Sequence, residues 1–227
     1  MSRHTRPAGR PRRAILSAEA IYRTALDLID REGTEAFSLV RLAKALGVRM
    51  PSLYNHVHSR EQVVHGVRVL LAAEIDWSSL GRLTWDQALA EWARSYRAAF
   101  AEHPNTVRLL ATTPVRTPEV LDQYELVVAS LEDAGWHPDQ AIWILSMLEA
   151  FILGSALDLA APEQMIDMPA DATRHPRLAA AVQAAPASGR ADSAFELGLL
   201  ALLAGLRAQL HSQTRDQGGE AGGAVTG

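Results

Sequence analysis

The sequence predicts an all-α protein of two parts, a small helical N-terminal domain and a larger helical C-terminal one. Three observations carry this. Apolar residues recur at helical spacing, as at Leu39, Leu42, Ala43 and Leu46, which stand at offsets 0, 3, 4 and 7. Capping residues open these runs and glycines close them: Ser17 and Gly33, Ser38 and Gly47, Thr117 and Gly135. Two long stretches, 139–160 and 192–210, are apolar nearly all round, the pattern of helices buried in a core or between subunits.

The first helix starts after Ser17, with Glu19 in its first turn where an acid complements the helix dipole. Ile21, Ala25, Leu28 and Ile29 form its inner stripe. Phe37 leads into Ser38, the cap of the second helix, and Gly47 ends that helix at a position where a left-handed residue costs nothing. Val48 is an apolar anchor within the turn, and Pro51 sits where a first helical turn tolerates it. The short third helix then carries Ser52, Tyr54, Asn55 and His56, all hydrogen-bonding side chains. A capping box over 59–62 opens the fourth helix, which turns Val63, Val67, Leu70 and Leu71 inward. Three short helices and a longer fourth make up this domain. Its layout is a helix-turn-helix, whose second helix enters the DNA major groove.

Charge supports that reading. Residues 1–68 hold twelve Lys and Arg against six Asp and Glu, whereas the other 159 residues hold ten against twenty, which recovers the chain's net −4. A basic front supplies sequence-independent attraction to phosphates. Arg3, Arg6, Arg10, Arg12 and Arg13 precede the first acid, Glu19, in a Pro- and Gly-interrupted arm. Arg12 and Arg13, next to the first helix, are the DNA-contact candidates within it.

Further on, 84–87 reads as another capping box, followed by Trp92, Tyr96 and Phe100 at four-residue intervals on one helix face. Thr117 and Pro118 open a helix carrying Leu121, Tyr124, Val128 and Leu131. Pro138 starts the next, 139–160, in which Glu149 is the lone charge between its acidic ends. That stretch approaches the length of a membrane span. The central Glu149, Ser146 and Ser155, and flanks without basic residues, argue for a buried helix instead, so no membrane partner is expected. Together with the last helix, 192–210, it is suited to pair with its symmetry mates in a four-helix bundle, hence a homodimer.

The order ALDLIDREGTEAFSLVRLAKALGVRMPSLYNHVHSREQVV resembles the DNA-binding domain of the tetracycline-repressor (TetR) family. The resemblance continues more thinly through 85–103, the Thr-Thr-Pro of 112–114, 132–136, 151–154 and 195–206, segments similar to the C-terminal domain of the tetracycline repressors. It implies a homodimer on a near-palindromic double-stranded DNA operator, with a small molecule bound in the second domain that moves the recognition helices apart. It also implies roles for residues. Ser38 matches a phosphate-touching position, and Met50, Pro51 and Ser52 match base- and backbone-facing ones. Tyr54 and His56 match residues on the sugar-phosphate backbone, and Arg60 matches a basic residue of the fourth helix. Arg49 and Asn55 complete the candidate set. Met50 departs from the polar residue often found there and suits apolar contact with a thymine methyl.

For the ligand, the resemblance implies departures. The metal-chelating histidine of the tetracycline-binding relatives falls near Leu110, a second pocket histidine on Ala150, the drug-gripping asparagine on Trp92 and a phenylalanine on Tyr96. Neither tetracycline nor a metal is therefore expected, and no cofactor. What remains is an aromatic-rich candidate pocket of Trp92, Tyr96, Tyr124, Leu145 and Met147, with Glu149 as polar anchor, suited to a largely apolar or aromatic effector. A buried unpaired carboxylate is costly, so Glu149 needs a partner or a functional reason.

The expected division is a flexible basic arm (1–14), a helix-turn-helix domain (15–70), a ligand-binding and dimerisation domain (71–211) and a disordered tail (212–227). Residues 161–191 should be loop around one short helix near 176–183. With no cysteine there is no disulfide, thiolate nucleophile or cysteine-ligated metal. The eight histidines are scattered, and no H-E-x-x-H, G-x-S-x-G, P-loop or G-x-G-x-x-G occurs. No apolar leader precedes the first helix, and a cytoplasmic location is expected. The reading is a non-enzymatic, ligand-responsive DNA-binding regulator, most naturally a repressor. The alternative is a constitutive or architectural DNA-binding protein whose second domain only dimerises.

Overall fold

A computed structural model describes residues 16–169 and 173–222. Among these are ten α-helices, one 3₁₀ turn and no strand. The N-terminal part comprises α1 (Ala18–Glu32), α2 (Leu39–Ala45), α3 (Met50–Tyr54) and α4 (Arg60–Ala72). The remainder comprises α5 (Trp85–Ala101), α6 (Pro104–Ala111), α7 (Pro118–Asp133), α8 (Pro138–Leu159), α9 (Pro176–Ala184) and α10 (Arg190–Gly222). Arg12 and Arg13, with the rest of the expected arm, lie outside the described residues.

Several caps form as their sequences require. Ser17 Oγ accepts from the Ala20 amide at 3.1 Å and Ser38 Oγ from the Arg41 amide at 3.3 Å, so each satisfies a donor that helix geometry leaves free. Ser59 accepts from Gln62 at 3.0 Å, but the return bond of the box lands one residue early, with the His58 amide donating to Gln62 Oε1 at 2.8 Å. The box expected at 84–87 does not form. Thr84 turns its hydroxyl to the Asp86 carboxylate at 2.5 Å, because a charged acceptor two residues away outcompetes a backbone amide for it. The expectation that the fourth helix is the longest of its domain is also corrected: α1 has 15 residues and α4 has 13.

Ile21, Ala25, Leu28 and Ile29 of α1 are buried against Val63, Val67 and Leu71 of α4 and Leu42 and Ala43 of α2. The same apolar core continues without a break into α5, α7, α8 and α10. The boundary expected at residue 70 therefore falls inside α4, whose two sides serve both halves of the molecule.

α8 and α10 are long and apolar enough to cross a membrane by length and composition. In this fold α8 buries Ala141, Ile144, Leu145, Leu148, Ile152 and Ala156 in the core and packs on α5, α7 and α10. α10 meets α8 where Gly198 lets the Phe151 ring in: a Cβ there would stand 2.7 Å from that ring. Phe151 stacks on Phe195 at 5.4 Å, and the Arg97 guanidinium lies 4.5 Å above Phe195. Both helices keep an apolar outer face, with Trp143 64% and Leu197 73% exposed beside Ile142 and Leu200.

α10 also runs past 211, where a disordered tail was expected, as far as Gly222. Between 211 and Gly218 there is no proline or glycine, and extending an established helix costs far less than starting one.

Candidate DNA interface and effector cavity

The helix-turn-helix is held from below. Gly47 takes φ +65°, which brings the Val48 amide back to the Ala43 carbonyl at 3.0 Å and turns the chain into α3. Leu53 and Val57 are wholly buried, which fixes α3 by one face and leaves the other to solvent. Arg49, Pro51, Ser52, Tyr54, Asn55 and His56 are all exposed on that free face, with Met50 half-buried at its start. Ser38 lies at the α2 N-terminus, its hydroxyl half-buried on the capping bond. Arg60 is exposed but engaged: its guanidinium stands 5.2 Å over the Phe37 ring and its Nε donates to the Phe37 carbonyl at 3.4 Å. Among basic residues near α3, Arg41 is tied to Glu32, whereas among the described residues no bond or ion pair holds the Arg49 side chain.

The second site is a cavity of about 580 Å³ bordered by α4, α5, α6, α7 and α8. One stripe of α8 supplies its floor: Ser146, Glu149, Ala150, Leu153, Gly154 and Leu157 at helical spacing. Tyr96 and Phe100 come from α5, Val120, Gln123 and Tyr124 from α7, and Trp77 from the segment after α4. Glu149 is the chemical centre. Tyr96 Oη donates to its Oε1 at 3.0 Å, and Tyr124 Oη donates to the same oxygen. Burial, then the Glu149 charge, raise both phenol pKa values far above the usual tyrosine range, so both rings remain neutral donors.

Of the six residues expected in this pocket, Tyr96, Tyr124 and Glu149 line the cavity together and three do not. Trp92 is wholly buried beneath it, between Trp77 at 5.7 Å and Tyr96 at 5.5 Å. Leu145 is buried in the core and Met147 packs against that core from outside the lining. The reason is helical phase, since each stands one residue, about 100°, away from Ser146 on the lining stripe. Among the lining residues that were not anticipated are Trp77, Arg68, Phe100 and Gln123. Trp77 lies in no periodic segment and gave no signal. Arg68 did give one: it interrupts the apolar stripe of α4 between Val64 and Leu71.

Arg68 is only 7% exposed and joins the two halves of the molecule. Its Nη2 donates to the Leu110 carbonyl at 2.9 Å and to the Thr113 carbonyl, closing the frayed end of α6 at the cavity wall. A second tie lies at the other end of α6. Asp30 of α1 pairs with His103 Nδ1 at 2.7 Å, accepts from Thr106 Oγ1 at 3.2 Å, and its carbonyl accepts from Asn105 Nδ2 at 3.0 Å. Leu110 and Ala150 present apolar wall to the cavity. Among the described residues no three His, Asp or Glu side chains group to hold a metal.

Comparison with known proteins agrees with this geometry. Residues 79–210 match the family described as "Tetracyclin repressor-like, C-terminal domain". The chain is 32% identical to the class E tetracycline repressor protein of Escherichia coli over 200 residues, 87% of this chain and 93% of that one. Among solved structures it is similar to ActR of Streptomyces coelicolor without ligand, at TM-score 0.73 and 27% identity over 88% of this chain and 99% of that one. It is equally similar to ActR in complex with actinorhodin, at TM-score 0.71 and 28% identity over 86% and 97% of the two chains.

Proposed function

The chain belongs to the tetracycline-repressor (TetR) family of transcriptional regulators, and on that premise we propose that it is a homodimeric repressor released from a near-palindromic DNA operator by a small molecule. In this reading Ser38, Arg49, Met50, Pro51, Ser52, Tyr54, Asn55, His56 and Arg60 form the DNA contact, and Tyr96, Tyr124 and Glu149 grip the effector. Arg12 and Arg13 would add phosphate contacts.

One observation carries the reading: the cavity that would hold the effector has a wall residue, Arg68, that belongs to the helix packed against α1 and its helix-turn-helix. A ligand that fills the space below Leu110 and Thr113 competes for the position of the carbonyls Arg68 holds. It therefore has a differential interaction with two positions of α4, as any ligand-driven shift requires. Dimerisation is supported by the unpartnered apolar faces of α8 and α10, which two copies bury as a four-helix bundle. A protein whose second domain only dimerises has no use for a cavity with a converging polar cluster, which disfavours the architectural alternative.

Selection of DNA from a random pool with the purified full chain, followed by footprinting, tests this. A palindrome with half-sites about one helical turn or more apart is expected. Enrichment of nothing beyond salt-sensitive, non-specific binding would overturn the operator reading.

A further inference from the structure

We propose that the effector is an organic cation, a protonated amine or related onium group on a flat apolar body, with its positive charge seated against Glu149. This rests on the ligand-responsive reading above and narrows it to a chemical class. The first ground is uncancelled charge. Both phenols donate to a single carboxylate oxygen, Oε1, and among the described residues no donor reaches Oε2. Among the described residues no Lys, Arg or His forms an ion pair with Glu149. The two phenols stay protonated and so contribute dipoles without cancelling the charge.

Neither arginine of the lining forms an ion pair with Glu149. Arg68 spends Nη2 on two backbone carbonyls, and its Nε is sealed from the cavity without a partner. Arg108 is exposed at the rim, where it also borders the grooves beside Thr34 and Glu35. Arg68 keeps its charge and acts on both phenols from the α4–α6 wall, whereas Glu149 offers an oxygen that no donor among the described residues takes. The second ground is the wall around it. Trp77, Tyr96, Phe100 and Tyr124 present aromatic rings to the same space. Ring faces attract cations, and a desolvated pair in such a site gains more than it would in water. An anionic ligand would meet the carboxylate, and a neutral one would leave it as it is.

Three acridines of nearly the same shape separate these cases: 9-aminoacridine, a cation at mildly alkaline pH, acridine, neutral there, and acridine-9-carboxylate, an anion. Calorimetric titration of the full chain without DNA should show the cation binding at least about tenfold more tightly than the neutral ring, with the anion weakest. Glu149→Gln keeps an acceptor for both phenols and should bring the cation down to the affinity of acridine, leaving acridine itself unchanged. Tyr124→Phe, which leaves the charge in place, should retain the preference. Equal or tighter binding of acridine or its carboxylate by the wild-type chain, or a cation preference that survives Glu149→Gln, would overturn the inference and leave the ligand-responsive reading standing. Binding of none of the three would count against both.

Discussion

Arg68 and Leu110 lie in different halves of the molecule and are joined directly: the guanidinium Nη2 on α4 donates to the carbonyl near the end of α6 at 2.9 Å. The same group also reaches the Thr113 carbonyl. α4 is thus tied to the cavity wall by a charge-assisted bond, the stronger class of hydrogen bond. Its apolar face carries α1 on the opposite side.

Replacing Arg68 by Met should leave the Thr113 carbonyl without its Arg68 donor, at a cost of roughly 1–3 kcal/mol, while the Leu110 carbonyl keeps the Thr113 amide at 3.2 Å. Thermal unfolding should shift down accordingly. In a release assay, whichever ligand frees the wild-type protein from DNA should still bind the variant but free it less completely. Release at wild-type concentration and amplitude would show that the signal bypasses Arg68.

Gly66 sits where α4 meets α1, and a Cβ there would stand 2.3 Å from the Tyr22 ring. Gly66→Ala gains about 1 kcal/mol of helix propensity, yet the ring must leave its place, at a cost of about 1–3 kcal/mol. Net destabilisation is expected from thermal unfolding. Tyr22→Ala in the same chain should restore part of it, and a double-mutant cycle without coupling would refute the contact.

Tyr54 is 46% exposed on the free face of α3. As a backbone contact it would position the protein without reading bases. Tyr54→Ala should weaken binding to every operator variant by a similar factor. A change in sequence preference after a second round of DNA selection would mean that Tyr54 reads bases.

Trp143 and Leu197 expose apolar area that only a partner would cover. The pair Trp143→Glu and Leu197→Glu places like charges at the face proposed to form the bundle. Analytical ultracentrifugation should find monomers at concentrations where the wild-type chain dimerises, with helix content by circular dichroism unchanged. A persisting dimer would locate the interface elsewhere.

Arg94 clasps Glu196 through both guanidinium edges, at 2.8 and 2.7 Å, and so ties α5 to α10. That bond, outweighing some burial, holds the Glu196 carboxyl below the usual glutamate range. A depressed carboxyl contributes stability above its unfolded-state pKa and loses it as pH falls through the lower, folded-state value. Glu196→Gln should therefore be less stable than wild type near neutral pH, with the gap closing on acidification. A gap constant across that range would show that the pair adds nothing ionic.

The helices and the exposed face of α3 were legible in the chain because their determinants are local. Ser17, Ser38 and Ser59 cap the amides three residues on, and Gly47 turns where its sequence position says it must. The exposed face of α3 follows from Leu53 and Val57 being its buried residues. Thr84 failed as a cap through a contest that periodicity does not reveal, a nearby carboxylate against a backbone amide.

The cavity was only half legible. Glu149, the lone charge in an apolar helix, announced a polar site, and Tyr96 and Tyr124 do converge on it. Trp92, Leu145 and Met147 share the composition of a pocket but not the phase of one, and a sequence does not say which side of an all-round apolar helix faces a void. Trp77 and Arg68 entered the wall from another segment and another domain. The sequence by itself determined what each segment becomes, since capping, turns and amphipathic spacing act over a few residues. The tertiary structure decided which groups share the cavity and that α4 forms part of its wall, because those depend on packing between segments tens of residues apart.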